Sequence, residues 1–358
     1  LADLQKLYGK PNNITIRTTT PKPIAKPVAF ERRLVDSSPD QLRKSGKQLM
    51  NEVGNLDTTK LKKLNEEFRL AAAKTGSNLK PELADKLMAD FEKAKSKYLK
   101  YRDEITQNLE KLKNKMLETS LSTTQVDTFV KNTKITTFNA AQKTQIRGYL
   151  NEYIRMFNGN GFIAAPNGVP PITKIGKAQR ASCEFWEGKI TTSKKWDNTW
   201  SKSTTFHEIT HSVEVANPKL NNFANKWKFD KAFGKAGDKA IKDQTILKKY
   251  LDKSGSSPVY GMTEKMNKPV YKLKNITNIR YKDPEVAFVN DYLNPYMGKV
   301  YGDYKFPEYG LGDQVFNPSE VLTMSVETFA DVDKMVKLYR VHPDLFEVVV
   351  GMSRATSL

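Results

Sequence analysis

His207-Glu208-Ile209-Thr210-His211 decides how this chain is read. Only three histidines occur in 358 residues, and two stand here, four positions apart, with a glutamate after the first. On a helix, positions i and i+4 lie on one face, a turn apart. Two imidazole nitrogens can then converge on one Zn²⁺ at about 2.0–2.1 Å. Glu208 lies one residue round from His207, where a carboxylate addresses a water beside the ion without ligating it. That is the layout of a zinc hydrolase.

A catalytic zinc needs a third protein ligand and one open position. The short-range option places a third histidine six residues after His211 with a glycine three before it. This chain has Asn217 and Glu214 at those places. The remaining histidine, His342, stands far downstream beside Pro343 and reads as a helix cap or a surface residue. The stretch Asn317-Pro318-Ser319-Glu320 to Glu327-Thr328-Phe329-Ala330-Asp331 offers carboxylates instead. Glu320 and Glu327 are seven apart and share a helix face. Glu320 also suits a first turn capped by Asn317 or Ser319. On this reading either glutamate stands as the third ligand.

The surrounding composition is that of an ordinary globular chain, 38% hydrophobic and 28% charged, with room for two or three domains. Apolar runs such as Val348-Val349-Val350 are too short to span a membrane. Cys183 is the single cysteine, which excludes an internal disulfide and fits a reducing compartment. The sequence opens on Leu1 with no signal-peptide pattern, so a fragment or processed product in a reducing cytoplasm or a phage particle is expected. A net charge of +19 favours acidic partners. No nucleic-acid module signature accompanies it, so non-specific contact with nucleic acid or an acidic protein is the expectation.

Three regions follow from the patterning. Residues 1–36 form a Pro/Thr-rich extended arm. Residues 37–120 form a basic helical hairpin module. In it Ser38 and Pro39 open one helix, a second starts near Asp57, and a third runs from Pro81 to about Leu117. The third helix carries Leu87, Phe91, Ala94, Tyr98, Tyr101, Ile105, Leu109, Leu112 and Met116 at heptad-like steps. Residues 121–358 hold the chemistry. Helix is expected over 123–157, and one or two strands over 180–193. The motif helix is expected to be capped by Thr204 or Thr205, and a hairpin to pair 270–273 with 279–281. One amphipathic helix is expected over 318–339, and a last helix from Pro343. The fold class is α+β, mostly helical, with a small sheet.

Thr205-Phe206-His207-Glu208-Ile209-Thr210-His211-Ser212-Val213-Glu214 looks like the active-site helix of zincin metallopeptidases. Tyr296-Met297-Gly298-Lys299-Val300-Tyr301, Ser319-Glu320-Val321-Leu322-Thr323-Met324 with Glu327, and His342-Pro343-Asp344-Leu345-Phe346 resemble zincin-like domains attached to phage head proteins and polymorphic toxins. The catalytic domain of anthrax lethal factor is a more distant likeness. The resemblance covers roughly residues 123–358 and is specific only at these motifs. It implies a zinc peptidase acting on protein or peptide, with His207, His211 and Glu320 as metal ligands and Glu208 as general base. The long interval from His211 to Glu320 departs from the pattern and keeps Glu327 as a rival. The resemblance also implies an oxyanion role for Tyr296 or Tyr301. Glu214 reads as a carboxylate that orients a ligand imidazole, and residues 180–193 as an edge strand for an extended substrate. The alternative is a particle-associated or DNA-associated basic protein whose zincin domain is inert.

Overall fold

The computed structural model describes residues 33–54, 56–75, 81–178, 181–193, 198–233, 272–275, 286–289, 292–300 and 319–355. Most of the arm, Gly76, Asn317 and Tyr301 lie outside them, as do 270–271 and 279–281 of the expected hairpin.

Helix α1 (Pro39–Val53) starts at a capping box. The Ser38 hydroxyl accepts from the Gln41 amide while the Gln41 side chain accepts from the Ser38 amide. It ends at Gly54, whose φ of 123° suits only glycine. Asp57 caps α2 (Thr58–Lys74) by accepting from the amides of Thr59 and Lys60. Helix α3 (Pro81–Met116), 36 residues long, packs antiparallel along it. The outer half of the α3 stripe meets α2 through Phe68, which lies 5.5 Å from the Phe91 ring and stacks on Tyr98 at 5.6 Å. The inner half, Tyr101, Ile105, Leu109, Leu112 and Met116, is buried in the main core.

Helix does not continue unbroken over 123–157. Helix α4 (Thr123–Asn132) gives way to strand β1 (Lys134–Ile135), and α5 (Ala140–Met156) restarts at a further capping box, Asn139 with Gln142. The β-branched pair Ile135-Thr136 favours extended backbone there, and the Asn139 cap then restarts the helix.

Strands β2 (Lys174–Ala178), β3 (Ser182–Glu184) and β4 (Lys189–Ser193) complete a four-stranded mixed sheet in the order β1-β2-β4-β3. Strands β1, β2 and β4 are parallel, and Ile135, Ile175 and Ile190 align as one buried row. Strand β3 pairs antiparallel with β4 and forms an edge. Of the one or two strands expected over 180–193, the structure has two, separated by a 3-10 turn at Phe185–Glu187 and by Gly188 in the left-handed region.

The motif helix α6 (Asn198–Ala216) begins earlier than Thr204 or Thr205. No glycine or proline stands between Asn198 and Thr205 to stop it. It packs on α5, on β3 and β4, and on α7 (Pro218–Phe233). A second sheet joins β5 (Lys272–Asn275), β6 (Val286–Val289) and β7 (Lys299–Val300), all antiparallel. Residues 272–275 pair with the apolar, β-branched segment 286–289, and the expected partner 279–281 lies outside the described residues. Past a 3-10 turn at Pro295–Gly298 and β7 comes α8 (Glu320–Glu327).

The expected 318–339 helix breaks. A 3-10 turn at Thr328–Ala330 and extended Asp331 separate α8 from α9 (Val332–Val341), because Asp331 caps the new helix through the amides of Asp333 and Lys334. Helix α10 (Pro343–Met352) starts at the predicted proline. It crosses α1 at two glycines. A methyl on Gly46 would run into the Glu347 carbonyl, and one on Gly351 into that of Leu42. The ends of the described chain are thus joined backbone to backbone, and one buried cluster runs from Leu34 to Ala355. The fold is α+β and mostly helical, with a small mixed sheet. No helix among the described residues is long and apolar enough to cross a membrane.

Candidate metal centre

Helix α6 is surrounded. Phe206, Ile209 and Val213 enter the core, yet Thr205, Glu208, Thr210, His211, Ser212 and Glu214 are buried too. Two polar residues bond within or near the helix. The Thr210 hydroxyl donates to the Phe206 carbonyl at 2.7 Å and lies 3.5 Å from the Tyr153 hydroxyl. The histidines stand one turn apart, with ring centroids 4.9 Å apart and nearly perpendicular planes.

Helix α8 brings the carboxylate. Ser319 caps it, its hydroxyl accepting from the Val321 amide, which sets Glu320 at the first helical position. Glu320 Oε2 then lies 3.0 Å from His207 Nε2 and 3.6 Å from His211 Nε2. Ligand atoms of these three residues all fall within 4.8 Å of one another, close enough to hold one metal ion. Glu327, at the far end of α8, approaches the other nitrogen of the first imidazole, with Oε2 3.3 Å from His207 Nδ1. Glu214 does the same for the second, with Oε2 3.5 Å from His211 Nδ1. The same Glu214 oxygen accepts from the Ser319 amide at 3.1 Å, tying the motif helix to the start of α8. Each imidazole therefore has a carboxylate behind it and turns Nε2 toward Glu320.

Burial and charge divide the protons unequally. Burial lowers the His207 pKa, but the charge and hydrogen bond of Glu320, with help from Glu327 and Glu208, hold it well above its ordinary value. Burial dominates at His211 and pushes it down to about 3, and the neighbouring His207 and Lys299 charges add to the fall. Burial opposes ionisation of Glu320, yet His207, His211 and Lys299 hold it well below the usual carboxylate range. Burial and the Glu320 charge push Glu214 well above that range. Without an ion, the centre is a His207 imidazolium paired with Glu320, beside a neutral His211.

Exposure falls from Glu327 (22%) through His207 (12%) to Glu320 (3%). Glu208 is buried on the same helix, next to His207. Tyr296 sits in the 3-10 turn that packs on α8, its ring 5.0 Å from the Lys299 ammonium. Cys183, half-buried on edge strand β3, keeps its proton because burial and the Glu208 charge raise its thiol. His342 is elsewhere. It is buried against Trp227, and its Nε2 accepts from the Leu293 amide at 3.2 Å.

Sequence reasoning passed over two buried lysines, Lys299 and Lys228. Lys299 Nζ lies 3.5 Å from Glu320 Oε1, and Lys228 Nζ donates to the Lys299 carbonyl at 3.1 Å. In a chain with 59 lysines and arginines, no single lysine carries a signal of its own. Comparison with known protein families, with curated proteins and with solved structures finds no match to this chain.

Proposed function

We propose that this chain is a zinc-dependent endopeptidase of the zincin type, with His207, His211 and Glu320 as ligands. One observation carries the reading: two imidazole Nε2 atoms and one carboxylate oxygen, from helices more than a hundred residues apart in sequence, meet in one buried place. The donor set of two histidines and a glutamate fits a catalytic zinc with an open position. The carboxylates behind each Nδ1 fit the outer layer that orients metal-binding imidazoles.

When bound, the ion would polarise the scissile carbonyl and lower the pKa of a water toward ~7. Glu208 takes the proton of the attacking water and later passes it to the leaving amine nitrogen. Glu327 and Glu214 stand 3.3 and 3.5 Å behind the two Nδ1 atoms, where they would orient His207 and His211 with Nε2 toward the ion. Tyr296 is the candidate donor to the developing oxyanion, with Tyr301 as its rival. Edge strand β3, packed beside α6, offers unpaired backbone to which an extended peptide can add.

The test is cleavage of an unfolded protein by the zinc-loaded chain. Glu208→Gln is expected to retain zinc and lose turnover by about 10²–10⁴-fold. Equal turnover in the two proteins would sink the assignment of Glu208, and none in either would leave a metal-binding domain without peptidase activity.

A further inference from the structure

The Glu320 carboxylate is divided between two sets of partners. Oε2 faces both imidazoles and accepts from the Thr323 hydroxyl at 3.2 Å. Oε1 turns away and accepts from Nζ of Lys299 at 3.5 Å. Lys299 is buried, at 5% exposure. Its backbone is held from two directions. It pairs with Ala287 in the second sheet, and its carbonyl accepts from buried Lys228. The preceding 3-10 turn packs on α8, so Lys299 approaches Glu320 from a rigid support. Burying an ammonium beside a carboxylate costs desolvation that an apolar residue in the same place would avoid.

A carboxylate can give a metal one oxygen or two. One oxygen from Glu320 leaves the ion three protein donors and room for a water and, as bonds rearrange, a substrate carbonyl. Two oxygens would fill that room. We propose that Lys299 is a positioning residue that occupies Oε1 of Glu320, so that the glutamate offers the metal Oε2 alone. This rests on the metal-centre reading above.

The test is Co²⁺ titration of the full chain, read by visible absorption at saturation, since four-coordinate Co²⁺ absorbs far more strongly than higher-coordinate Co²⁺. Lys299→Met removes the ammonium from Oε1, and Lys299→Gln is one atom too short to reach it. Both are expected to lower the band intensity by about twofold or more as the coordination number rises. Lys299→Arg keeps a cation in place and is expected to keep the wild-type band. Where Lys299→Met does not fold, Lys299→Gln carries the test. Saturated variants with the wild-type spectrum would overturn the positioning role while leaving the metal centre standing. Wild-type protein that takes up no Co²⁺ would instead bring down the metal-centre reading itself, and this role with it.

Discussion

The α2–α3 hairpin and the motif helix α6 are built on opposite principles. The hairpin is amphipathic. One stripe of α3 is apolar, its outer half meets α2, and Leu70, Leu83 and Met88 remain about half exposed, at 54%, 47% and 48%. From Lys202 onward, helix α6 has no solvent face of that kind, because α5, α7, α8 and the sheet pack around it. Its polar residues are buried with its apolar ones. Burying Glu208, His211 and Glu214 costs desolvation unless partners meet them. For His211 and Glu214 such partners come from the start of α8, the Glu320 carboxylate and the Ser319 amide, and they form the candidate centre. The contrast teaches that periodicity reports helices that divide water from core. A helix with polar groups inside the core has to be read from chemistry instead.

Stability measurements should separate the inner and outer parts of the hairpin. Ile105→Ala removes a fully buried side chain and is expected to cost about 2–5 kcal/mol in denaturant unfolding. Leu70→Ala, at the exposed end of the hairpin, is expected within about 0.5 kcal/mol of the parent. Comparable costs at both sites would show that the outer hairpin is covered in solution and would erase the contrast.

The α6 side of the comparison is sharpened by pH. In the metal-free protein the raised His207 pKa stabilises the fold fully below about 6.5, the ordinary value, and that contribution is lost as pH rises through the raised one. An ion must displace this proton. Metal affinity should therefore keep rising above pH 6.5, by about tenfold per pH unit, until His207 is deprotonated. His211, down at about 3, is already neutral and adds no second proton. A slope of two protons, or affinity flat above pH 6.5, would contradict this division between the imidazoles.

Much of the fold was legible where local chemistry decides. Ser38, Asp57, Pro81, Pro343 and the heptad steps of α3 mark helices that formed at the expected places. Strand β2 was missed because Lys174-Ile175-Gly176-Lys177-Ala178 has no clear alternation, and it is held by strands on both sides. The helix breaks at Lys134–Ile135 and Asp331 were read through because the apolar spacing carries on across them, while the new caps interrupt the backbone. In the candidate site, the HExxH spacing named two residues and left Glu320 and Glu327 open. Only the approach of α8 shows Glu320 facing both Nε2 atoms and Glu327 facing one Nδ1. The lysine behind Glu320 depends on a second sheet whose pairing no local pattern announces.

The most direct test of the central claim is metal content at neutral pH, measured on the parent chain, His207→Ala and Glu320→Ala after equilibration with zinc and removal of the excess. The account predicts about one zinc per parent chain and loss of retained zinc in both variants. A folded parent chain that retains no zinc, or a Glu320→Ala variant that retains it as tightly as the parent, would contradict it.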